Sequence, residues 1–300
     1  MKFYILTSSN LESLKRHNDK KFSGIYKKDT VIVINSLNKE YVKEAKEYCE
    51  SNNLEYYITE SNGTPSKGKN SVFDIFLASD NDYCVLIDGD DFLTAHGVWF
   101  YKHLETLKEP PDAVCLMNQT SLRYIDNELL ALYPFSVDYA ELLSMDYYKD
   151  FKEDGLSHEK SIYFESLHKK YYTNQRKYSE WNEINCRVTW LSKKAAKFKF
   201  DEDVVIGEDT LQMLRLKHEA LEGRLNFYST DENPMTYIYD ETIGGIVMEE
   251  SEYGKNYEWM DNYLTKLEQM ETLGQLHEFT QLPKLKIDYP ENYRKEYIDE

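Results

Sequence analysis

The chain has 300 residues and carries 36 basic against 54 acidic side chains, which gives a formal net charge of −18 at pH 7. Its hydrophobic fraction of 41% is enough to fill a folded core, so the composition excludes a disordered or collagen-like chain. No window approaches the roughly 18 apolar residues that a membrane helix needs, and residues 1–10 lack the long apolar stretch of a signal peptide. We therefore expect a cytoplasmic protein whose acidic surface disfavours polyanions at long range.

Strand-like apolar runs alternate with helix-like periodic segments over the first 120 residues, a pattern typical of an α/β sheet. The predicted strands are residues 3–6, 31–34, 55–58, 83–87 and 113–117. Helices are predicted after Asn38, which can cap the first turn, and over residues 71–78 and 94–107. Because strands joined by helical crossovers pair in parallel, we predict a mostly parallel central sheet flanked by helices.

The alternation stops at residues 120–185, which are rich in tyrosine and charge, and we interpret them as an inserted lid or recognition segment. It returns with a strand at 186–191, a helix from about position 208, and strands near 225–228 and 235–239. Residues 249–300 are acidic and include an amphipathic helix with Met260, Tyr263, Leu264, Leu267 and Met270 on one face. We interpret this tail as a helical extension packed on a main domain of residues 1–248.

Three carboxylates follow the fourth predicted strand within four positions, in Asp88-Gly89-Asp90-Asp91. Since carboxylates repel one another, their grouping at the carboxyl end of a parallel strand favours a site for a divalent cation and a sugar or ribose hydroxyl. The alternative is that Asp91 caps the next helix while Asp88 and Asp90 stay solvated.

A second acidic pair, Glu208-Asp209, opens a predicted helix about 120 residues further along the chain. The helix dipole favours acids in a first turn, so this pair alone does not indicate a site. If both acidic groups face one cleft, however, one can bind a metal while the other accepts a proton.

The stretch Gly63-Thr64-Pro65-Ser66-Lys67-Gly68-Lys69-Asn70 matches the phosphate-loop pattern G-x-x-x-x-G-K-[ST] at every position but the last. Asn70 cannot supply the hydroxyl that holds magnesium, and Pro65 removes a backbone donor from an anion-binding nest. These departures disfavour a phosphate-loop nucleotidase or kinase. Lys67 and Lys69, near a helix N-terminus, remain suited to contact a diphosphate.

Taken in order, these motifs resemble family-2-type glycosyltransferases of the GT-A fold, over roughly residues 1–245. The resemblance is carried by Thr7 and Ser8, Asn35, Gly63, Lys69-Asn70, Asp88-Gly89-Asp90-Asp91, Gly207-Glu208-Asp209 and the tyrosine-rich run from Tyr237 to Ile243. It implies a GT-A (Rossmann-like) α/β fold in which residues 1–118 bind the nucleotide sugar and residues 119–248 bind the acceptor. It also implies a metal-dependent transfer of a sugar from a nucleotide-diphosphate donor to an acceptor hydroxyl, with inversion.

The same resemblance implies individual roles. Asp88 and Asp90 would hold Mn²⁺ or Mg²⁺ as a D-x-D motif, and Asp209, beside Glu208, would be the catalytic general base. The donor would be bound by Thr7, Ser8, Asn35, Gly63, Lys67, Lys69, Asn70, Asp88 and Gly89. Two positions depart from the family pattern: Asn35 replaces the aspartate that commonly contacts the base, and no late histidine matches the metal ligand of many relatives.

Acceptor recognition is predicted in residues 120–185, because flat aromatic faces stack on sugars and bases alike. We favour a carbohydrate or glycoconjugate acceptor and expect no integral membrane contact. The basic, aromatic stretch 168–178 also suits nucleic acid, so a phage-type glycosyltransferase that acts on modified DNA bases is an alternative. A nucleotidyltransferase on a similar core and a noncatalytic sugar-binding relative are further alternatives.

Overall fold

The computed structural model describes residues 1–18, 25, 27–93, 95–116, 120–125, 128–132, 187–205, 207–230, 237–240, 262, 265–266, 268–270, 272–273 and 282–287. The strands are β1 (Lys2–Thr7), β2 (Thr30–Asn35), β3 (Glu55–Thr59), β4 (Tyr83–Asp88), β5 (Phe92–Leu93), β6 (Ala113–Leu116), β7 (Thr120–Ile125), β8 (Glu128–Leu132), β9 (Arg187–Ser192), β10 (Phe227–Thr230) and β11 (Tyr237–Asp240). The helices are α1 (Leu11–Arg16), α2 (Lys39–Ser51), α3 (Pro65–Ala78), α4 (Ala95–Thr106) and α5 (Glu208–Leu221), with 3₁₀ turns at Lys27–Asp29 and Ala195–Lys197.

Within the described residues, the central sheet has seven strands in the order β10-β6-β9-β4-β1-β2-β3. Strands β4, β1, β2 and β3 are parallel to one another, and β10 is parallel to β6. Strand β9 runs antiparallel to both of its neighbours, β4 and β6. The predicted α/β class with a mostly parallel central sheet is confirmed.

Helices cover both faces of the sheet. Side chains of the central strands alternate between two buried clusters, and each cluster also contains helix residues. In β1, the Tyr4 ring meets Phe76 of α3 at a centroid distance of 5.9 Å. On the other face, the Phe3 ring meets Tyr101 of α4 at 6.5 Å. Helix α5 shares the α3 face and helix α2 shares the α4 face. Helices α3 and α5 therefore lie on the same side of the sheet.

Parallel pairing aligns the carboxyl ends of the four central strands. Asp88 at the end of β4 lies opposite Leu6 of β1, and Asn35 at the end of β2 lies opposite Thr59 of β3. Loops that follow such strands come together at one edge, which is where α/β proteins bind ligands. Most of the predicted site residues follow these strands or begin the helices after them.

Helix α3 begins at Pro65, six residues before the predicted start at position 71. The Thr64 hydroxyl accepts from the Lys67 backbone N–H, and Pro65 fits the first helical turn because it needs no backbone donor there. The segment that matches the phosphate-loop pattern is thus largely helical. It does not form the open loop of backbone N–H groups that a phosphate loop requires.

A smaller sheet, in the order β5-β11-β7-β8, was not predicted. Strands β7 and β8 form an antiparallel hairpin at the start of the segment interpreted as a lid, where the surrounding tyrosines and charges obscure the alternation. The stretch 168–178 and four of the tail positions named above, Met260, Tyr263, Leu264 and Leu267, lie outside the described residues.

Described residues of the tail contact residues 1–248 at several places, including Asp203, whose backbone carbonyl accepts from Asn262 Nδ2 at 3.2 Å and whose carboxylate is 3.5 Å from Lys266 Nζ. Met270 and Leu282 are buried in the same cluster as α3 and α5. Ser229 of β10 donates its backbone N–H to Pro283 O at 3.0 Å, and Leu285 N donates back to Ser229 O at 2.8 Å. The last described residues therefore add to the edge of the central sheet. None of the described helices combines the length and apolarity that crossing a bilayer requires.

Candidate active site at the carboxyl edge of the sheet

The Lys69 ammonium lies among three carboxylates that come from distant parts of the chain. Lys69 Nζ is 2.6 Å from Asp209 Oδ1, 2.9 Å from Glu208 Oε1 and 3.9 Å from Asp88 Oδ1. The Lys69 side chain is only 3% exposed, and its ammonium is 5.5 Å from the centre of the Phe200 ring. The structure thus brings the end of β4 and the start of α5 together around one buried cation.

Glu208 and Asp209 occupy the first turn of α5, where the helix dipole stabilises acids. Gly207 precedes them with φ 78° and ψ 10°, a left-handed conformation that glycine adopts without a Cβ clash. The Glu208 side chain is 11% exposed and that of Asp209 is 32% exposed. Burial raises the pKa of the Glu208 carboxyl, and the nearby Lys69 ammonium opposes that shift.

The segment that leads into this acidic pair is held by the first turns of α3. Ser66 Oγ donates to Val204 O at 2.7 Å. The buried Asn70 side chain donates to Phe200 O at 3.0 Å and accepts from the Phe200 backbone N–H at 2.8 Å. The Lys67 ammonium, 3.2 Å from Glu202, adds an ion pair. In the structure, Lys67 and Asn70 therefore contact the 200–204 segment, and these bonds fix where α5 begins.

The Asp-Gly-Asp-Asp turn at the end of β4 packs directly on the β1 backbone. Asp91 N donates to Asp88 O at 3.0 Å, which closes the turn. A Cβ on Gly89 would lie 2.5 Å from Leu6 O and 2.9 Å from Thr7 Cα. Only glycine permits this approach, so Gly89 determines how closely the turn packs on β1.

Tyr237 and His17, for which the sequence predicts no role in the site, hydrogen-bond to this turn. Tyr237 Oη donates to Asp91 Oδ2 at 2.7 Å and accepts from the Asp88 backbone N–H at 3.3 Å. His17 Nε2 donates to Gly89 O at 3.0 Å. His17 is buried, and burial lowers its pKa to about 4, so the neutral imidazole supports the turn at neutral pH. His17 and Gly89 are 72 positions apart, and no local pattern indicates this contact.

The remaining predicted donor-binding residues lie at the same edge with different exposures. Thr7 is buried, and its hydroxyl bonds a tyrosine hydroxyl of α2. The buried Asn35 amide donates to Thr59 Oγ1 at 2.8 Å and to the following backbone carbonyl at 3.0 Å, which ties β2 to β3. Ser8 and Gly63 are exposed. Within this set, Ser8 and Gly63 are the residues that a ligand from solvent reaches most readily.

Asp88 and Asp90 are the carboxylates predicted to hold a divalent cation, and both lie at this edge of the sheet. The Asp88 side chain is 23% exposed and Asp90 is partly exposed, whereas Asp91 is buried against Tyr237. Among the described residues, no group of three or more His, Cys, Asp or Glu side chains is arranged to hold a metal ion. Mg²⁺ is commonly held by one or two carboxylates together with substrate phosphates, and Mn²⁺ also prefers oxygen ligands. Asp88 and Asp90 fit such an ion when a diphosphate completes its coordination.

No protein-family model and no curated protein matches the sequence. Similar solved structures include S. aureus TarS in complex with UDP-GlcNAc, with 12% identity and a TM-score of 0.46 over 82% of this chain and 60% of that one. The mannosyltransferase PcManGT from Pyrobaculum calidifontis, in complex with GDP-Man and Mn²⁺, has 10% identity and a TM-score of 0.43 over 82% of this chain and 57% of that one. Each match covers less than two thirds of the neighbour's own chain.

Proposed function

We propose that this chain is a metal-dependent glycosyltransferase that moves a sugar from a nucleotide-diphosphate donor to an acceptor hydroxyl with inversion. One observation carries the proposal: Asp88, at the end of a parallel strand, and Asp209, at the start of a helix, both lie within 4 Å of the same Lys69 ammonium. An oxygen-ligand group and a candidate base therefore flank one small region at the ligand-binding edge of the sheet.

Transfer of a glycosyl group breaks the bond between the anomeric carbon and the diphosphate, with cationic character on the sugar ring. A bound Mn²⁺ or Mg²⁺ would neutralise negative charge that develops on the leaving diphosphate. Asp88 and Asp90 would hold that ion. Gly89, Tyr237 and His17 fix the turn that carries both carboxylates, so the chain orients its metal ligands before the donor binds.

Asp209 is the general base in this proposal, because it is the more exposed acid of its pair. Its carboxylate would accept the proton of the acceptor hydroxyl as that oxygen attacks, a contribution typically of about 10²–10⁴-fold. Glu208 is more buried and shares the Lys69 ammonium, so we assign it to the support of Asp209. A base on the face opposite the leaving group accounts for inversion in a single displacement.

The donor would lie over residues 1–118 at the edge formed by Ser8, Gly63 and the Asp88 to Asp91 turn. Residues 119–248 would bind the acceptor, and we propose a carbohydrate or glycoconjugate. The segment 249–300 would be an extension that stabilises the main domain through the buried Met270 and Leu282.

A panel of nucleotide sugars that includes UDP-GlcNAc and GDP-mannose tests the proposal. We expect Mn²⁺-dependent release of the nucleoside diphosphate from at least one donor, by hydrolysis or by transfer to a mixture of oligosaccharides. Asp90→Asn is the matched variant, and we expect it to lose the Mn²⁺-dependent release. If no donor gives release, the proposal is wrong; pyrophosphate formed from a nucleoside triphosphate and a sugar phosphate would indicate a nucleotidyltransferase instead.

A further inference from the structure

We propose that Lys69 is a positioning residue of this transfer reaction, which fixes the Asp209 carboxylate relative to Asp88 and does not bind the donor diphosphate. The inference rests on the proposed glycosyltransferase function. In this inference, Lys69 of the phosphate-loop-like stretch interacts with carboxylates of the protein and not with phosphates of the donor.

The surroundings of the Lys69 ammonium leave no approach for a diphosphate. An ammonium has three donors, and two of them reach Asp209 and Glu208 at 2.6 and 2.9 Å. The side chain is 3% exposed, and the Phe200 ring lies beside the charge. A diphosphate would have to displace carboxylates and enter a space that already holds several negative charges. Binding of a diphosphate at the Lys69 ammonium is therefore unfavourable on both steric and electrostatic grounds.

Lys69 connects three elements, α3, β4 and α5, that are not adjacent in the sequence. It lies on α3, whereas Asp88 ends β4 and Asp209 begins α5. Without the ammonium, the three carboxylates around it would repel one another at short range, and the repulsion would be screened least at Glu208, whose side chain is 11% exposed. The charge of Lys69 therefore determines how far the proposed base lies from the proposed metal ligand.

Helix α3 is hydrogen-bonded to the segment before α5, so Lys69 can determine a position as well as supply a charge. Ser66 and Asn70, which flank Lys69 in the same helix, donate to backbone carbonyls of the 200–204 segment just before α5. Lys69 continues this line of contacts to the acidic pair itself. Displacement of a catalytic group by about 1 Å commonly costs about 10²-fold in rate, because the reacting atoms leave the productive geometry.

Lys69→Met removes the charge and keeps most of the side-chain length. We expect kcat for nucleoside diphosphate release with acceptor to fall about 10²-fold. The KM and the dissociation constant of the nucleotide sugar should change less than about threefold, since a positioning residue does not contact the donor. The matched control is Lys102→Met, which removes a part-buried ion pair with Asp29 on the other face of the sheet and should leave kcat unchanged.

A second comparison asks whether Lys69 acts through Asp209. In an Asp209→Asn background, Lys69→Met should lower kcat no further, because the group that it positions has already lost its function. If Lys69→Met instead raises the donor dissociation constant tenfold or more with a small change in kcat, Lys69 binds the donor and the inference is wrong.

Removal of a buried cation can also prevent folding, because it leaves buried carboxylates uncompensated. The double variant Lys69→Met with Glu208→Gln removes the cation together with one buried acid. Compared with Glu208→Gln alone, the double variant should fold and still show the roughly 10²-fold loss in kcat. Equal kcat values for these two proteins would overturn the inference. A wild-type protein that releases no nucleoside diphosphate from any donor would overturn the proposed function as a whole, which is a distinguishable result.

Discussion

The two acidic groups of the candidate site are held in place by different means. Neutral groups hold the turn at the end of β4: the Tyr237 hydroxyl, the His17 imidazole and the backbone of β1 against Gly89. A cation from the chain itself holds the acidic pair at the start of α5, since Lys69 is ion-paired with both Glu208 and Asp209.

This difference is consistent with the two roles that we propose, a metal site at the turn after β4 and a general base at the start of α5. Neutral contacts fix the backbone that carries Asp88 and Asp90, and the Lys69 ammonium lies farther from Asp88, at 3.9 Å, than from Glu208 or Asp209. In the proposal, Asp88 and Asp90 hold the divalent cation. Lys69 compensates the acidic pair and holds Asp209 in one orientation, which suits a group that must accept a proton at a defined point. The substitutions below alter one side of the comparison at a time.

The largest effect on kcat should come from Asp209→Asn, which changes the acidic pair at the start of α5 and leaves the turn after β4 as it is. The amide keeps the shape of the carboxylate but is a very weak base, so kcat should fall about 10²–10⁴-fold. Donor binding should persist, because the turn at β4 is unchanged. Steady-state release of nucleoside diphosphate and calorimetric donor binding measure the two quantities separately. An Asp209→Asn protein with wild-type kcat would remove Asp209 from the base role.

The buried His17, which hydrogen-bonds to the turn after β4, should make the free energy of unfolding depend on pH. Its pKa is about 4 in the folded protein against about 6.5 when unfolded, so between these values the unfolded chain binds the additional proton. The free energy of unfolding should therefore fall as pH decreases from about 6.5 to about 4, by about 3 kcal/mol in total from this residue.

Urea unfolding of wild type and His17→Gln over this pH range measures that contribution. The glutamine amide can still donate a hydrogen bond but does not titrate, so the variant should lose less stability on acidification. Parallel stability curves for the two proteins would show that His17 does not titrate in this way.

Gly89 offers a matched pair with Gly68, since an added Cβ on either residue would meet β1. On Gly89 the methyl group meets backbone atoms at 2.5 and 2.9 Å, which cannot move without shifting the strand. On Gly68 it meets the ends of two side chains, Leu6 Cδ2 at 2.9 Å and Asn35 Oδ1 at 3.4 Å, and no backbone atom among its three nearest neighbours. We expect Gly89→Ala to destabilise the protein by about 1–3 kcal/mol and Gly68→Ala, inside a helix, to change stability by less than about 1 kcal/mol. Equal effects in chemical denaturation would contradict the packing of the turn on β1.

Among the substitutions expected to destabilise the protein, Tyr237→Phe should have the smallest effect, a decrease of about 1.5 kcal/mol in the free energy of unfolding, because it removes a hydrogen bond to the buried Asp91 carboxylate. Tyr101→Phe is its control, since the Tyr101 hydroxyl bonds the neutral Thr189 hydroxyl. A bond to a charged group contributes more than one between neutral groups, so the Tyr237 variant should have the lower midpoint in urea. The reverse order would show that Asp91 does not depend on this bond.

The sequence allowed the central sheet to be predicted because its inner strands β1, β2 and β4 are largely buried and helices with capping residues follow its strands. Asn38 and the buried Ala45 and Cys49 of α2 are an example. The carboxylates could also be listed from sequence, since their residue types and order are local properties. The role of Lys69 could not, because a lysine near a helix N-terminus indicates anion binding, and its three carboxylate partners are 19 to 140 positions away. His17 carries no local signal for the same reason, and Tyr237 lies in a predicted strand whose sequence does not indicate its contact with Asp91.

The assignment of the metal to the turn after β4 and of the base to α5 can be tested most directly by a measurement of Mn²⁺ affinity. Electron paramagnetic resonance measures this affinity in the presence of UDP or GDP. The measurement compares wild type, Asp90→Asn and Asp209→Asn. We expect Asp90→Asn to lose Mn²⁺ affinity at least tenfold and Asp209→Asn to bind Mn²⁺ within about threefold of wild type, since the proposal assigns the metal ligands to the turn after β4. Equal losses in both variants, or no loss in either, would contradict the assignment of the metal to Asp88 and Asp90 and of the base to Asp209.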